Sequence, residues 1–287
     1  MQEKITFSFL GGDIRQRECA SIIESEGHKV KTFGIDNILG KDITVYDKLN
    51  ETFFNCDVLM LPIPYKNKKG FINIMDEKHS LALNDIEAYL KSDIKIILGK
   101  ADNEFRKYVD KYGFEYFDLL QDEAFAILNA IPSAEGAIQL AMEYSDITLH
   151  GSNVLVLGFG RLGKTLARML KGIGANVTVE ARKSEDLAWV VENGYNGIHL
   201  SNLNNILSKQ DFIFNTIPFL ILDRNRLKQI NTQTVIIDLA SYPGGIDFEA
   251  ARELGIKAKL ELGLPGIVAP KSAARIIWEI TKEVLKI

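Results

Sequence analysis

NVLVLGFGRLGKTLAR, residues 153–168, decides the fold. Val154–Leu157 is a short apolar run of the kind that forms a buried strand. Gly158-Phe159-Gly160-Arg161-Leu162-Gly163 follows, and Lys164–Ile173 then takes helical spacing. In a strand–turn–helix of this kind the first glycine permits the tight turn. The second lets a diphosphate approach the backbone, and the third lets the helix pack on the strand. The free N–H groups at the helix start face the anion. Gly158 to Gly163 are therefore candidate cofactor-binding residues. The competing reading is a glycine-rich turn with no ligand. A second strand at the expected distance, Val177–Val179, argues against it.

That second strand bears on which dinucleotide binds. It continues as VTVEARKS, Val177–Ser184. An NAD site usually offers an acid here to the ribose hydroxyls. Glu180 falls inside the strand, one position before its tip, and Ala181 takes the tip. Arg182, Lys183 and Ser184 follow. Two cations and a hydroxyl suit a 2′-phosphate, so NADP is expected in preference to NAD, with Arg182 and Ser184 in contact. A one-residue shift would put Glu180 on the ribose and reverse the preference. The bland alternative makes Arg182 and Lys183 solvated charges beside a helix.

Outward from this unit, both sides alternate strands and helices. Upstream, strands are expected at Ile5–Leu10, Val30–Phe33, Asp57–Leu61, Ile94–Leu98 and Phe114–Asp118. Helices are expected at Arg15–Ser25, Leu81–Leu90 and Asn103–Tyr112, with an irregular loop over residues 65–79. Downstream, strands are expected at Phe212–Asn215, Val235–Leu239 and Ile256–Leu260, with a helix at Phe248–Glu253. This rhythm predicts two Rossmann-like or flavodoxin-like α/β domains with parallel sheets. A connecting helix from Pro132 to Tyr144, with Ser133 as its cap and Glu135 in its first turn, leads out. A C-terminal helix over Lys271–Val284 returns. The expected boundaries are 1–131, 132–150, 151–265 and 266–287.

The 287 residues are 46% hydrophobic and 25% charged, an ordinary soluble balance. A net charge of −4 advertises no nucleic-acid surface. Cys19 and Cys56 cannot supply a disulfide framework and are expected to be buried thiols. No signal-peptide layout or membrane-length apolar run is present, so a cytoplasmic protein is expected. His28, His79, His150 and His199 are scattered and suggest no metal site.

Ligands of doubly wound sheets sit at the carboxyl ends of the strands. Besides the glycine loop, three segments after the later strands qualify. Thr216 and Pro218, in Asn215–Pro218, are expected to line the nicotinamide. Asp238 either holds its loop or touches a ligand. Gly263–Ser272 brings Lys271 and Ser272 to face an anion. In the first domain the matching segment is Gly11-Gly12-Asp13-Ile14-Arg15-Gln16. Two glycines permit an exposed backbone, Gly12 among them. Arg15 can clamp a carboxylate, and Asp13 can orient it or move a proton. The alternative makes Asp13 a helix cap and Arg15 a surface charge. Each polar residue along these edges carries the same local-cap alternative.

The chain resembles the dipicolinate synthase A-subunit family over nearly its whole length. The resemblance is carried by GGDIRQ at Gly11–Gln16, LPIP at Leu61–Pro64 and IPSAEGAIQLAM at Ile131–Met142. VLGFGRLGKTLAR at Val156–Arg168, EARKS at Glu180–Ser184 and NTIP at Asn215–Pro218 extend it. IDLASYPGGIDFEAA at Ile237–Ala251 and LPGIVAPKSAARI at Leu264–Ile276 complete it. Tyr242 stands where the family favours a basic residue. The resemblance implies oxidation of a dihydrodipicolinate-type intermediate to pyridine-2,6-dicarboxylate, with NADP or NAD as acceptor. It also implies a flavoprotein-like second subunit and a role in the mother-cell cytoplasm of a sporulating bacterium. The layout leaves a homo-oligomer open.

On that reading the small dicarboxylate substrate needs cationic partners. Arg15 and Lys271 are expected to supply them, one from each domain, with Gly12, Ser133 and Ser272 nearby. Asp13, Glu135 and Lys271 are the candidates for proton handling. The alternative function is a nucleotide-binding regulatory or scaffold subunit whose partner completes the active site. A third is another oxidoreductase, such as a small-acid or imine reductase.

Overall fold

The computed structural model describes residues 4–38, 40–75 and 79–287. Met1–Glu3, and residues 76–78 of the expected 65–79 loop, lie outside the described residues. The chain divides into two units, 1–129 with 265–287, and 130–264.

The first unit is a six-stranded parallel sheet. Its strands are β1 (Thr6–Leu10), β2 (Lys29–Phe33), β3 (Ile43–Tyr46), β4 (Val58–Met60), β5 (Lys95–Leu98) and β6 (Tyr116–Asp118), in spatial order β3-β2-β1-β4-β5-β6. Between them run α1 (Ile14–Ser25), α2 (Glu51–Phe54) and α3 (Asn103–Tyr112), and Leu83–Tyr89 forms a 3-10 helix. Both faces of a parallel sheet need cover. Phe7 and Phe9 of β1 join one core with Ile23 of α1, while Leu10 and Leu59 join the other.

The long helix α4 (Glu123–Glu143) follows. It starts nine residues before the expected Pro132. Proline loses its own N–H and crowds the carbonyl four residues back, yet the apolar stripe on either side, with Phe125, Ala130, Ala134 and Ala137 buried, carries the helix through it. Ser133 is therefore not a cap and Glu135 is not in a first turn.

The second unit repeats the plan with β7 (Asn153–Leu157), α5 (Arg161–Ile173), β8 (Asn176–Ala181), α6 (Ser184–Glu192), β9 (Asn196–His199) and β10 (Phe212–Asn215). It continues through α7 (Arg224–Leu227), β11 (Val235–Asp238), α8 (Phe248–Glu253) and β12 (Lys257–Leu260). The strand order is β12-β11-β10-β7-β8-β9, all parallel. Alternate residues of β7 serve opposite cores. Val154 and Val156 face α5, and Leu155 and Leu157 face the other layer. Each sheet reverses direction of growth beside its first strand, between β1 and β4 and between β7 and β10. This switch point is where such sheets hold ligands.

The chain ends in α9 (Leu264–Val268) and α10 (Pro270–Leu285). Ala274, Ile277 and Trp278 of α10 join the core of Phe7, Phe9 and Ile23, so α10 completes the first unit. Lys271 thus shares a unit with Arg15, correcting the expectation of one cation per domain. Cys19 is fully buried and Cys56 half-buried, both as free thiols.

Candidate functional site

The glycine loop has the shape a diphosphate requires. Gly158 has φ +95°, a conformation that disfavours any side chain. A Cβ on Gly163 would lie 2.1 Å from the Gly158 carbonyl oxygen, so helix and strand touch there. A Cβ on Gly160 would meet nothing within 4 Å. Gly160 is also the N-cap of α5 and provides no side-chain acceptor to the first-turn amides. An open approach, donors not capped by a side chain and the positive end of a 13-residue helix fit a dinucleotide diphosphate. Phe159 and Leu162 are half-buried beside the turn and Arg161 is exposed. Lys164 lies 5.2 Å over the Phe159 ring.

The second strand ends at Ala181, with Glu180 inside it. Glu180 is buried, its Oε1 has no partner, and burial raises its carboxyl above the ordinary range against the opposing pull of Arg182. Arg182, Lys183 and Ser184 are exposed past the tip, where α6 begins without a side-chain cap. Arg182 makes no ion pair or hydrogen bond among the described residues, and Ser184 Oγ donates weakly to Glu185 at 3.4 Å. The acid is tucked in and the cations project.

The third and fourth loops of this unit hold each other. Asn215 Nδ2 donates to Asp238 Oδ1 at 2.7 Å. The amides of Ala240 and Gly245 also donate to the Asp238 carboxylate, at 3.1 and 2.8 Å. Asp238 is wholly buried. All its hydrogen bonds are within the chain. It builds the loop that β11 carries. Thr216 Oγ1 donates to the Leu157 carbonyl at 2.8 Å and packs against Gly158, and Pro218 is exposed. Asn215 as keeper of this loop pair was not among the sequence candidates, because a buried amide at a strand end gives no pattern.

In the first unit, Asp13 caps α1. Its carboxylate accepts from the Arg15 amide at 2.8 Å, and Gln16 returns a bond to the Asp13 amide at 2.9 Å. Arg15 Nη2 and Nε meet the same carboxylate at 2.7 and 3.0 Å, and Nη2 also donates to the Ile63 carbonyl. Arg15 is 7% exposed. It is neither a surface charge nor an unengaged one. Gly11 and Gly12 are buried rather than open, because the Asn73 carbonyl lies over them and accepts from the Gly12 amide at 2.8 Å. Gly12 therefore cannot offer that amide to a substrate. The amides of Gly11 and Gly244 are also bonded within the chain, to Phe33 and Ser241. Asn73 escaped sequence reasoning because it lies in the irregular 65–79 segment.

Glu135 is exposed on α4 in the second unit, where it lines an open apolar groove of about 640 Å³ with Met142 and Met169. Ser133 is half-buried within the same helix. Lys271 and Ser272 are exposed in the first turn of α10. Arg15 has a neighbour in the adjoining α9: a Cβ on Gly266 would lie 3.4 Å from Arg15 Nε. Among the described residues there is no group of three metal-ligating side chains, and no helix is long and apolar enough to cross a membrane.

Residues 6–120 match the family model of the N-terminal domain of the dipicolinate synthase A-subunit. Residues 132–241 match the NAD-binding domain of D-isomer specific 2-hydroxyacid dehydrogenases, which makes the second unit a nicotinamide-dinucleotide domain of dehydrogenase type. The chain is 34% identical to the dipicolinate synthase A-subunit of Bacillus subtilis over 284 residues, 98% of this chain and 96% of that protein. The crystal structure of the Bacillus halodurans A-subunit is similar at 35% identity and TM-score 0.88, covering 98% and 97% of the two chains. The Bacillus subtilis structure gives 33% and 0.87, covering 100% and 97%.

Proposed function

The chain belongs to the dipicolinate synthase A-subunit family, and from that membership we propose that it oxidises a dihydrodipicolinate-type intermediate to pyridine-2,6-dicarboxylate. The observation that carries the redox reading is the α5 start: open space at Gly160 above amides that no side chain caps. Gly158 to Gly163 hold the diphosphate, and Arg182 with Ser184 takes the 2′-phosphate, so NADP is preferred to NAD. Bound nicotinamide supplies the hydride acceptor. The substrate loses one hydride from a ring carbon and one proton, and aromaticity drives the change. The protein's task is orientation and charge neutralisation. Arg15 and Lys271 meet carboxylates.

Asp13, one of the candidates for proton removal, is engaged by Arg15. That observation favours a second reading, in which a flavoprotein-like partner completes the site and this chain binds nucleotide for it. Either role serves dipicolinate formation in the mother-cell cytoplasm during sporulation.

The deciding experiment is turnover of chemically generated dihydro substrate, with and without the partner, following pyridine dicarboxylate and reduced nicotinamide together. Turnover by the isolated chain supports the enzyme reading. Cofactor binding with turnover only in the presence of partner supports the second. Absence of both cofactor binding and turnover removes both.

A further inference from the structure

Lys100 is one of three described non-glycine residues with positive φ, at +68°. A lysine gains nothing locally from the left-handed conformation, which costs it energy and recurs at ligand sites. The turn around it is built to hold it there. Its amide and that of Ala101 both donate to the buried Asp118 carboxylate, each at 2.8 Å. Just before it, Gly99 donates to the Pro62 carbonyl at 3.1 Å and accepts from the Tyr65 amide at 2.9 Å. A Cβ on Gly99 would lie 2.6 Å from the Ile63 side chain. Ile63 is also the residue whose carbonyl takes Arg15 Nη2. The Lys100 turn and the Arg15 guanidinium therefore flank one residue.

The strand order explains the arrangement. β1, β4 and β5 are neighbours, and Arg15, Ile63 and Lys100 follow their carboxyl ends in turn. Adjacent strands are ~4.8 Å apart, so β1 and β5 present their loops ~10 Å apart across the switch point. The charges differ in kind. Arg15 is already matched by Asp13. Lys100 is exposed, and its ammonium has no hydrogen bond or ion pair among the described residues. A dianion brought to this edge needs a cation that is not already neutralised.

We infer that Lys100 is a substrate-carboxylate residue of the first unit, binding one carboxylate of a small planar dicarboxylate while Arg15 and Lys271 orient the other. This rests on the dicarboxylate reading above. The ammonium reaches its ligand on a flexible four-carbon stem, and the strained backbone fixes where that stem starts.

The test titrates pyridine-2,6-dicarboxylate, and separately pyridine-2-carboxylate, into wild type, K100G and K100N by calorimetry, with thermal melts alongside. Glycine and asparagine both accept positive φ, so both variants fold, with melting unchanged or higher. The expected result is at least a tenfold weaker dicarboxylate affinity in both variants, a much smaller change for the monocarboxylate, and unaltered NADP binding. Wild-type binding that K100G and K100N retain would overturn the assignment while leaving the substrate reading intact. Failure of the wild type to bind the dicarboxylate would instead overturn the substrate reading. Equal losses for both pyridine acids would also count against Lys100, by showing a general effect on the pocket.

Discussion

Gly163 stands directly against Gly158: a methyl group on it would sit 2.1 Å from the Gly158 carbonyl oxygen, a distance no real contact shows. Gly160, between them in sequence, faces open space. The same glycine motif thus holds two different constraints, one on folding and one on binding. G163A is expected to destabilise the chain by about 1–3 kcal/mol, the usual cost of overpacking. G160V is expected to melt close to wild type and yet lose cofactor affinity by more than about tenfold, about 1.4 kcal/mol. Thermal melts paired with NADP titration check both. Wild-type affinity in folded G160V would make the loop a structural turn.

Arg182 projects beyond the tip of β8 without a hydrogen bond or ion pair among the described residues, where a 2′-phosphate would lie. R182A should weaken NADP by about 1.5–3 kcal/mol, the loss of a charged hydrogen-bond partner, and leave NAD nearly unchanged. Calorimetric titration of both cofactors is the check. Equal weakening of the two would move Arg182 from the 2′-phosphate to the general field of the site.

Glu180 gives a pH prediction. Burial raises its folded-state carboxyl above the ordinary value, which is about 4.3 in an unfolded chain. Between those two values the folded chain holds a proton that the unfolded chain has released. Stability from this group therefore falls as pH rises through that window, and the penalty persists above it. E180Q removes the ionisable group while keeping its shape. It should melt higher than wild type at mildly alkaline pH, with the gap closing as pH falls toward the ordinary carboxylate range. A gap independent of pH would mean that the carboxyl is already solvated.

The strand-and-helix rhythm was legible because parallel strands buried on both faces read as apolar runs. Ala181 at the tip of β8 and the helices Asn103–Tyr112 and Phe248–Glu253 follow from the residues themselves. β3 and β9 were not legible: Thr44, Val45, Asn196 and Gly197 lie on edge strands with little burial to impose a pattern. The start of α4 was hidden by Pro132, which signals a boundary in sequence and lies inside a helix in space. Side-chain pairing was the least legible level. Nothing in GGDIRQ tells that Asn73 covers the glycines or that Asp13 holds the guanidinium. The first of those facts depends on a loop that returns from some sixty residues away, and the second on a rotamer that no sequence pattern records.

Arg15 and Lys271 give the last prediction, which the placement of α10 changes. Both belong to the unit built on β1, Arg15 buried at the start of α1 and Lys271 exposed in the first turn of α10. Gly266, in α9 just upstream of Lys271, lies against Arg15 Nε. If both cations meet one dicarboxylate, R15A should lower kcat/KM for the dihydro substrate by about 10–150-fold, the equivalent of about 1.5–3 kcal/mol. K271A should act in the same direction, by less, because exposed charges are worth less. NADP affinity should be spared in both. A shared ligand makes the double variant non-additive, with a coupling of about 0.5–3 kcal/mol. R15A leaves Asp13 without its partner, so R15K, which keeps the charge but loses the fork, serves as the folded control. Steady-state kinetics on the folded single and double variants decides the matter. Near-wild-type kcat/KM in both singles would end the clamp. The amides of Gly11, Gly12, Gly244 and Gly245 could not replace it, since each already donates within the chain.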